Sequence, residues 1–535
     1  MTVHDGLAAS GTTLRVQEPA PGAATDSPSP AGVTNTVGSR FQSRWRFVVH
    51  RGIAGSEGAP AGDGGERDLQ PSLPRRWMRP GLPLALDRSG AAPRGVWVGG
   101  VADGGLPVLV PWGEAATRPA GIASPEASLV SGGGGVLRVH RSGTLGGSGP
   151  AGTSGLGATG RVDWVSSATG RSQLVATGHF AVAAIAGDAA GMPSEIVLGG
   201  APVPGGFPVA APTQWLRRVG EGYRSVFSAS VGPVTAVRFL SASSGPGAEW
   251  VSVSDWGAPR WFRAHGERFE AVDPLVSAPG EAPVPLSQWT GLWQSLEVGD
   301  FDGDGREDLV LGNWGLNGSL PLMVGAPRSP AGPVREFHLF HGAWNQDGTS
   351  GCLEAYRAPD GRILPVRGLQ EIGPLFPAIA ARFTTHRAYA LATVEGILEG
   401  LPSARVSARW LTSVVLLRRG DGFEARALPD AAQLGPIRAM ASGDFNGDGR
   451  RDLFVAMGFA GHGFRGPRDD AGEAVFLFGR GEGSFEAVPS GELGFRLLGE
   501  PRDVVAADWN GDGVTDLAVS EAQGDVMWIG SRKVE

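Results

Sequence analysis

Cysteine, lysine and long apolar runs are nearly missing from this sequence of 535 residues. The single cysteine, Cys352, excludes disulfide bonds within the chain and metal sites built from several thiolates. Lysine occurs only as Lys533, and the arginines form no basic stripe, so nucleic acid is not an expected partner. No stretch reaches the about 18 consecutive apolar residues of a membrane helix. The N-terminal segment also lacks the charged and apolar regions of a secretion signal.

Glycine and proline are abundant, at 86 and 41 residues, which favours many turns and short strands. From about Val96 onward, short apolar runs alternate with Gly, Pro and Asp turns, and this texture predicts an all-β fold over residues 41–535. Residues 1–40 are rich in Pro, Ala, Gly, Ser and Thr and are predicted to form a disordered tail. Only residues 374–400 have helical periodicity, so we predict a short helical insertion there.

One nine-residue pattern occurs three times, at residues 300–308, 444–452 and 508–516. Asp or Asn stands at positions 1, 3 and 5, Gly at positions 4 and 6, and Asp at position 9. An apolar run follows each copy at once, so the pattern predicts a loop that leads into a strand. An EF-hand is excluded because its position 12 needs an acid, whereas these copies have Leu311, Val455 and Val519.

Side-chain oxygens at positions 1, 3 and 5 of a tight loop converge on one point, and such hard ligands suit Ca²⁺. Position 7 would add its backbone carbonyl, and the acid at position 9 would close the shell. The alternative is a solvated acidic turn. We predict up to three Ca²⁺ sites, with these ligands: Asp300, Asp302, Asp304, Arg306 and Asp308; Asp444, Asn446, Asp448, Arg450 and Asp452; Asp508, Asn510, Asp512, Val514 and Asp516.

Weaker copies of the pattern are aligned at residues 165–174, 241–250 and 343–352. A second signature, a Gly turn followed by Phe and Glu, occurs at 266–270, 420–424 and 483–486. A period of about 40–70 residues made of short strands is typical of a β-propeller. Six aligned copies and the strands near residues 96–139 favour seven blades, with eight as the alternative.

The three complete copies resemble the FG-GAP/VCBS repeats of integrin-α-type β-propellers. A further series of segments is similar to bacterial VCBS-repeat proteins of the cartilage-acidic-protein/UnbV-related group: Glu195–Gly200, Pro204–Pro208, Gly291–Trp293, Asn313–Asn317, residues 374–393, Leu428-Pro429 and Gln433. The resemblance implies a secreted or cell-surface propeller whose Ca²⁺ loops stiffen the blade edges. It also implies a protein that is not an enzyme.

Two functions are therefore expected to compete. The first is a non-catalytic module that binds an unidentified protein or glycan, as a monomer or as part of a surface assembly. The second is a propeller lyase or hydrolase with its site at the central funnel. Candidates for that site are His338 and His341, which lie near Asp347 in the sequence, and the polar loop Gly461–Gly472. No familiar hydrolase, zinc-protease or phosphate-binding motif accompanies them.

Overall fold

The computed structural model is mostly β, with few helices, which confirms the predicted all-β character. Residues described are 45–51, 84–86, 95–98, 108–111, 126–132, 135–140 and 160–533 except 167–168, 170, 187–190, 204, 241–246, 267, 318–335, 345–349, 459–471, 498–499 and 522–525. The predicted tail, residues 1–40, lies outside this part of the chain. Within it, no helix is long and apolar enough to cross a membrane.

The described strands form eight sheets, which are antiparallel except for one parallel strand pair, and seven of them follow one another along the chain and are numbered here in that order. Strand β1 (Trp45–Arg51) precedes sheet one, which contains β2 (Leu84–Leu86), β3 (Gly95–Val98) and β4 (Val108–Pro111). Sheet two contains β5 (Glu126–Gly132), β6 (Gly135–His140), β7 (Arg161–Ser166) and β8 (Ser172–Thr177). Sheet three contains β9 (Phe180–Ala186), β10 (Glu195–Gly200), β11 (Thr213–Val219) and β12 (Gly222–Ala229).

The later sheets follow the same plan of four strands in sequence order. Sheet four has β13 (Val234–Leu240), β14 (Glu249–Ser254), β15 (Arg260–His265) and β16 (Arg268–Val272). Sheet five has β19 (Ser295–Gly299), β20 (Asp308–Gly312), β25 (Val414–Arg419) and β26 (Gly422–Ala427), and it is extended by β17 (Leu275–Ser277) and β18 (Val284–Pro285). Sheet six has β27 (Ile437–Gly443), β28 (Asp452–Met457), β29 (Val475–Gly481) and β30 (Ser484–Pro489), and sheet seven has β31 (Pro501–Ala507), β32 (Asp516–Glu521) and β33 (Val526–Lys533).

Sheet seven takes its fourth strand from the other end of the chain. Strand β1 pairs antiparallel with β33, from Trp45 opposite Lys533 to Arg51 opposite Met527. The first strands of the sheets also contact one another in order: β2, β5, β9, β13, β19, β27 and β31, and β31 in turn contacts β2. Neighbouring sheets therefore meet along their first strands, and the last sheet meets the first.

The eighth sheet is inserted between β20 and β25, inside sheet five. It consists of β21 (Phe337–Gly342), β22 (Gly351–Arg357), β23 (Ile363–Pro365) and β24 (Ala404–Ala408), and between the last two run the helices α1 (Leu369–Ile372), α2 (Pro377–Ala380), α3 (His386–Leu391) and α4 (Val394–Ile397). Ile372, Ile379, Tyr389 and Ile397 from the helices pack with Leu353 and Ala355 of the inserted sheet. The helices thus cover one face of the inserted sheet. The sequence did not distinguish the strands of this sheet from those of the other sheets.

The hydrophobic core lies between neighbouring sheets rather than in one central mass. One cluster joins sheets five and six through Val310, Val415, Ile437, Leu453 and Val455. Comparable clusters join sheets four and five, and sheets six and seven. Every residue of β20, β28 and β32 is buried, as expected for a second strand that is covered on both faces. Each sheet therefore depends on its neighbours for burial.

The weaker copies of the motif meet different outcomes. Residues 241–246 and 345–349 lie outside the described residues, so the copies at 241–250 and 343–352 stay predictions; their described ends belong to sheet four and to the inserted sheet. The copy at 165–174 begins in β7 and ends in β8, the third and fourth strands of sheet two, whereas the complete copies connect a first strand to a second strand, so that alignment is wrong. Gly and polar residues occur in all of these copies, so composition alone did not separate them.

Candidate metal loops and a polar cluster

The three complete motifs form the loops between the first and second strands of sheets five, six and seven. We call residues 300–308 the first loop, 444–452 the second and 508–516 the third. Each begins directly after a first strand, and its position 9 is the first residue of the second strand. The three sheets are consecutive, so the loops lie side by side at one end of the first strands. The prediction that each motif leads into a strand is confirmed.

The loops share one backbone conformation, which explains their glycines. The glycines at positions 4 and 6 all have positive φ, between 69° and 84°. This left-handed conformation is costly for residues with a Cβ atom. It turns the backbone N–H of position 6 toward the carboxylate of position 1, which accepts it at 2.8 Å in the first and second loops and at 2.9 Å in the third.

The side chains at positions 3 and 5 also accept hydrogen bonds within the loop. Position 3 accepts from the N–H of position 5 at 3.2, 2.9 and 2.9 Å in the three loops. Position 5 accepts from the N–H of position 7 at 2.9 Å in each loop. Position 7 itself is exposed in Arg306 and Arg450, whereas the side chain of Val514 is buried. The loop backbone thus holds three side-chain oxygens on its rim.

The acid at position 9 points into the sheet. Asp308, Asp452 and Asp516 are each 0% exposed. Each accepts the backbone N–H of position 2, at 2.9, 2.9 and 3.1 Å. Asp308 and Asp452 also accept an N–H from the third strand, from Arg418 at 2.7 Å and from Gly479 at 2.8 Å. This acid therefore fastens the loop to its sheet, and its predicted role as a metal ligand stays a prediction.

Burial dominates the electrostatics of these position-9 acids. It raises the pKa of Asp308 to about 6 and that of Asp452 to about 7, although the hydrogen bonds from backbone N–H groups oppose the shift. The nearby loop carboxylates add a smaller contribution in the same direction. Negative charge is thus unfavourable at these positions without a compensating cation, because burial removes the carboxylate from water.

In the first loop, carboxylate oxygens of Asp300, Asp302 and Asp304 lie within 4.8 Å of one another. Among the described residues, three carboxylate, imidazole or thiolate ligands converge in this way only there. The second and third loops replace the acid at position 3 by Asn446 and Asn510, whose amide oxygens are also hard ligands. The donor sets of these two loops therefore fit a calcium ion in chemistry and in placement on the rim.

The loops of neighbouring sheets touch. Thr515 of the third loop donates its backbone N–H to the carbonyl of Asp444 at 2.9 Å and accepts the N–H of Asp444 at 3.2 Å. A Cβ added to Gly443 would come within 2.6 Å of Thr515 Cγ2, and one added to Gly299 within 2.6 Å of Arg451 Cδ. The glycine before each of these two loops therefore makes room for position 8 of the next loop.

A cleft of about 630 Å³ runs along this row of loops. Its walls come from all three loop-bearing sheets and include Asp300, Asp302, Asp444, Arg450 and Arg451. Both signs of charge are present in it. The cleft is a recess in which a polar partner could contact several loops at once.

A second polar site lies at the opposite end of the first strands. Gln294, just before β19, donates to Asp255 at 3.4 Å and accepts a hydrogen bond from Arg438 of β27. Beside them, Arg502 of β31 forms an ion pair of 3.2 Å with Glu500. Burial raises the pKa of Asp255 to about 6, opposed mainly by Arg438, and burial lowers the pKa of Arg438. We call these five residues the polar cluster.

The polar cluster continues along the first strands as a second layer of charge. Arg238 of β13 lies 3.7 Å from Glu297 of β19, which also accepts a hydrogen bond of 3.0 Å from Ser442. Burial raises the pKa of Glu297, and the charge of Arg238 opposes this shift. The first strands therefore present polar as well as apolar side chains to one another.

The structure describes the two histidines of the predicted site but not its aspartate, so that site stays a prediction. His338 is buried in β21 of the inserted sheet, where its Nδ1 lies 2.8 Å from Ser407 Oγ, and burial lowers its pKa. His341 lies on the same strand, and burial lowers its pKa too. Asp347 and residues 461–471 lie outside the described residues. Cys352 donates to the carbonyl of Phe207 at 3.3 Å, and burial raises its pKa to about 11, consistent with an inert thiol.

Sequence reasoning missed Arg419, whose guanidinium contacts the first loop from the end of β25. The signal was present in the Gly-Phe-Glu signature, which the structure places at the hairpin between the third and fourth strands of sheets four, five and six. An arginine directly precedes that turn in sheets five and six, as Arg419 and Arg480. Sequence reasoning also missed the polar cluster, because the members of this cluster are scattered singly through the sequence.

Comparison with known families finds one match, which covers part of the chain. Residues 444–519 match the FG-GAP-like repeat and span the second and third loops. No curated protein sequence matches the chain. Among solved structures, the N-terminal domain of Nup159 has 8% identity and a TM-score of 0.33, covering 91% of this chain and 96% of that chain. The biofilm matrix protein Bap1 of V. cholerae has 12% identity and a TM-score of 0.28, and the alignment covers 90% of this chain and 87% of that chain.

Proposed function

We propose that this chain is a calcium-stabilised β-propeller that acts as a non-catalytic binding or assembly module outside the cytoplasm. One observation carries the proposal: three loops of the same conformation occur at the same end of three consecutive sheets. Two of them fall within the segment that matches the FG-GAP-like repeat. A repeated loop of this kind serves the architecture, whereas a catalytic site needs different side chains converging at one place.

The propeller has seven blades, which are sheets one to seven. The contact of each first strand with the next, and of β31 with β2, supports a ring. The pairing of β1 with β33 supports closure of that ring by the two ends of the described chain. The inserted sheet is an addition to blade five and not an eighth blade, since it interrupts the order of that blade's own strands.

Calcium would be held in the loops by the side-chain oxygens at positions 1, 3 and 5, and it would supply positive charge beside the position-9 acids. The raised pKa of Asp452 shows how unfavourable that charge is when the loop contains only protein groups. The ion would stabilise the folded state by binding it more tightly than the unfolded chain. Its role is structural, and it takes part in no reaction.

The partner is a protein or a glycan, bound at the surface that the loops form. The cleft along the three loops is the recess we assign to this contact, because it reaches residues of three blades and offers both signs of charge. A secreted or cell-surface location follows from the proposed calcium dependence, since free calcium is plentiful there. The module would work as a monomer or within a surface assembly.

The calcium proposal is tested by thermal unfolding after chelation and after calcium is restored. We expect the melting temperature to fall by several degrees with EGTA and to recover with Ca²⁺ but not with Mg²⁺. Asp448→Ala removes one rim ligand of the second loop and should reduce the recovery. Asp421→Ala, which changes an exposed acid in a turn beside the loops, is the matched control and should recover fully. A melt that ignores chelation would reject structural calcium.

The polar cluster favours a second candidate, an enzyme with its site at the ring axis. Asp255, with a pKa raised to about 6, could exchange a proton near neutral pH, and Arg438 lies beside it. Each acid of the polar cluster lies near an arginine, however, and this balance of charge favours a structural network over a catalytic site. Assays of lyase and hydrolase activity on polysaccharides and esters distinguish the two: turnover lost in Asp255→Asn but kept in Asp421→Ala would establish the enzyme.

A further inference from the structure

The first loop differs from the other two because an arginine side chain reaches into it. Arg419 Nη1 donates to Asp302 Oδ2 at 2.5 Å and lies 3.9 Å from Asp304 Oδ2. Its Nε donates to Glu424 at 3.3 Å, which fixes the direction of the guanidinium. The side chain of Asp302 is only 5% exposed, so this ion pair is shielded from water on the side of the acid.

The remaining acids of the first loop are also engaged by protein donors. Arg306 donates to Asp304 Oδ2 through Nε and Nη2, at 3.0 and 2.6 Å. These contacts place a guanidinium group beside the carboxylate of Asp304, so the protein itself already offsets its negative charge. Both oxygens of Asp300 accept loop N–H groups, at 2.7 and 2.8 Å. The oxygens at positions 3 and 5 that would face a metal ion are therefore paired with two guanidinium groups.

Sheet six contains the same arginine in the same place, but this arginine does not reach its loop. Gly479 donates to Asp452 as Arg418 donates to Asp308, which makes Arg480 the counterpart of Arg419. Arg480 forms an ion pair with Glu486, the counterpart of Glu424. Position 3 of the second loop is Asn446, which carries no charge. Among the described residues, no arginine or lysine forms an ion pair with Asp444, Asp448, Asp508 or Asp512.

The one difference in the motif therefore coincides with the difference in structure. Where position 3 is Asp302, Arg419 forms an ion pair with it. Where position 3 is Asn446, Arg480 forms an ion pair with Glu486 and with no acid of the loop. A divalent ion entering the first loop would have to displace Arg419 from a shielded acid, or stay beside its positive charge. Neither cost arises in the second or third loop, where only the backbone of the loop donates to the acids at positions 1 and 5, apart from the amide of Asn446.

We propose that Arg419 is the resident cation of the first loop, which it closes in place of calcium. The first loop, although it has the most acidic ligand set, is then the weakest calcium site of the three. This inference rests on the proposed calcium sites of the second and third loops for its contrast, but it makes a separate statement about the first. It replaces the expectation of three equivalent sites with two sites and one internal ion pair.

The test counts bound calcium in wild-type protein and in Arg419→Gln, by native mass spectrometry and isothermal titration of the full chain. Glutamine is shorter than arginine and keeps a polar end, but it removes the positive charge. We expect Arg419→Gln to bind one more calcium ion per chain than wild type, with affinity at the first loop raised by about tenfold or more. Asp304→Ala added to Arg419→Gln removes one rim ligand of the first loop and should abolish the extra ion, which assigns it to the first loop.

Arg480→Gln is the matched control, since it removes the equivalent arginine from sheet six, where that arginine contacts no loop acid. Its calcium count should equal that of wild type. Circular dichroism and the melting temperature in calcium verify that each variant is folded. An unchanged count in Arg419→Gln, or a rise of equal size in Arg480→Gln, would overturn the inference. One extra ion over a wild type that binds none would support the inference while rejecting the proposed calcium sites.

Discussion

At the scale of single residues, small differences in charge decide what each loop does. Asp302 and Asn446 occupy the same position in two loops of the same conformation and accept the same backbone hydrogen bond. Only Asp302 carries charge, and only Asp302 has an arginine partner. A motif that is nearly constant in sequence can thus have different electrostatics in each copy, because the partner comes from a strand more than a hundred residues away.

Asp255 gives a pH dependence that can be measured. Its folded pKa of about 6 lies above the ordinary value of 3.8, so the folded chain binds more protons than the unfolded chain between those values. The contribution of Asp255 to stability is therefore largest at low pH and is lost as pH rises toward 6. We expect Asp255→Asn to raise the free energy of unfolding at pH 7 by about 1–3 kcal/mol relative to wild type.

This advantage of Asp255→Asn should shrink as pH falls from 6 to 4, which is measured by urea unfolding at several pH values. Asp421→Asn, an exposed acid for comparison, should show no such trend. If wild type and Asp255→Asn keep a constant difference over this range, the titration of Asp255 does not affect folding.

Some residue roles followed from the sequence and others could not. The glycines at positions 4 and 6 were predicted from the tightness of the turn, and their positive φ confirms this. The two N–H donors that Asp308 and Asp452 accept could not be predicted, because one of them belongs to a third strand whose partner was unknown. Arg419 was missed for the same reason: an ion pair between distant segments leaves no local pattern.

At the scale of elements, the ends of the first strands set how closely neighbouring sheets approach. Gly443 is the last residue of β27, and the side chain of Thr515 from the next sheet occupies the space where its Cβ would be. The third loop is preceded by Ala507 instead, and the sheet next to it carries no motif. A glycine at the end of the first strand is therefore found where the next sheet carries a loop that packs against it. The loop that follows the glycine does not require it.

Gly443→Ala should accordingly destabilise the protein. The added Cβ would lie within 2.6 Å of Thr515 Cγ2, so the two loops must separate, at a cost of about 1–3 kcal/mol in the free energy of unfolding. Gly222→Ala is the control, because Gly222 also lies at a strand terminus, as the first residue of β12, but has no atom within 4 Å of the added Cβ. Thr515→Gly should relieve part of the penalty in the double variant. Equal losses in Gly443→Ala and Gly222→Ala would contradict the steric explanation.

The elements themselves were predicted unevenly. Short strands between Gly and Pro turns were expected and are observed, since an apolar run of that length fits a strand covered on both faces. The inserted sheet was not anticipated. Its strands have the same length and composition as the others, and only pairing distinguishes them, because β20 skips the inserted strands to pair with β25. Pairing between distant strands is the information that a local pattern lacks.

At the scale of the whole molecule, stability depends on the pairing between the two ends of the described chain. Strand β1 covers the edge of β33 with seven residue pairs. Deleting residues 1–51 should therefore lower the melting temperature markedly and promote aggregation through the exposed edge strand. Deleting residues 1–40 alone spares β1 and should leave the melt unchanged. Similar melting temperatures for the two truncations, measured by calorimetry and light scattering, would show that β1 adds nothing to stability.

The same pairing has a consequence for synthesis on the ribosome. Among the described strands, β1 is synthesised first and its partner β33 last, so β1 has no native neighbour until the strands between them have been made. At roughly 5–20 residues per second, it waits on the order of half a minute or longer. During that time an unpaired strand can join the wrong edge of an already folded sheet or of another chain. The order of translation therefore makes the pairing of β1 with β33 the last of the described strand pairings to form and the one most exposed to misassembly.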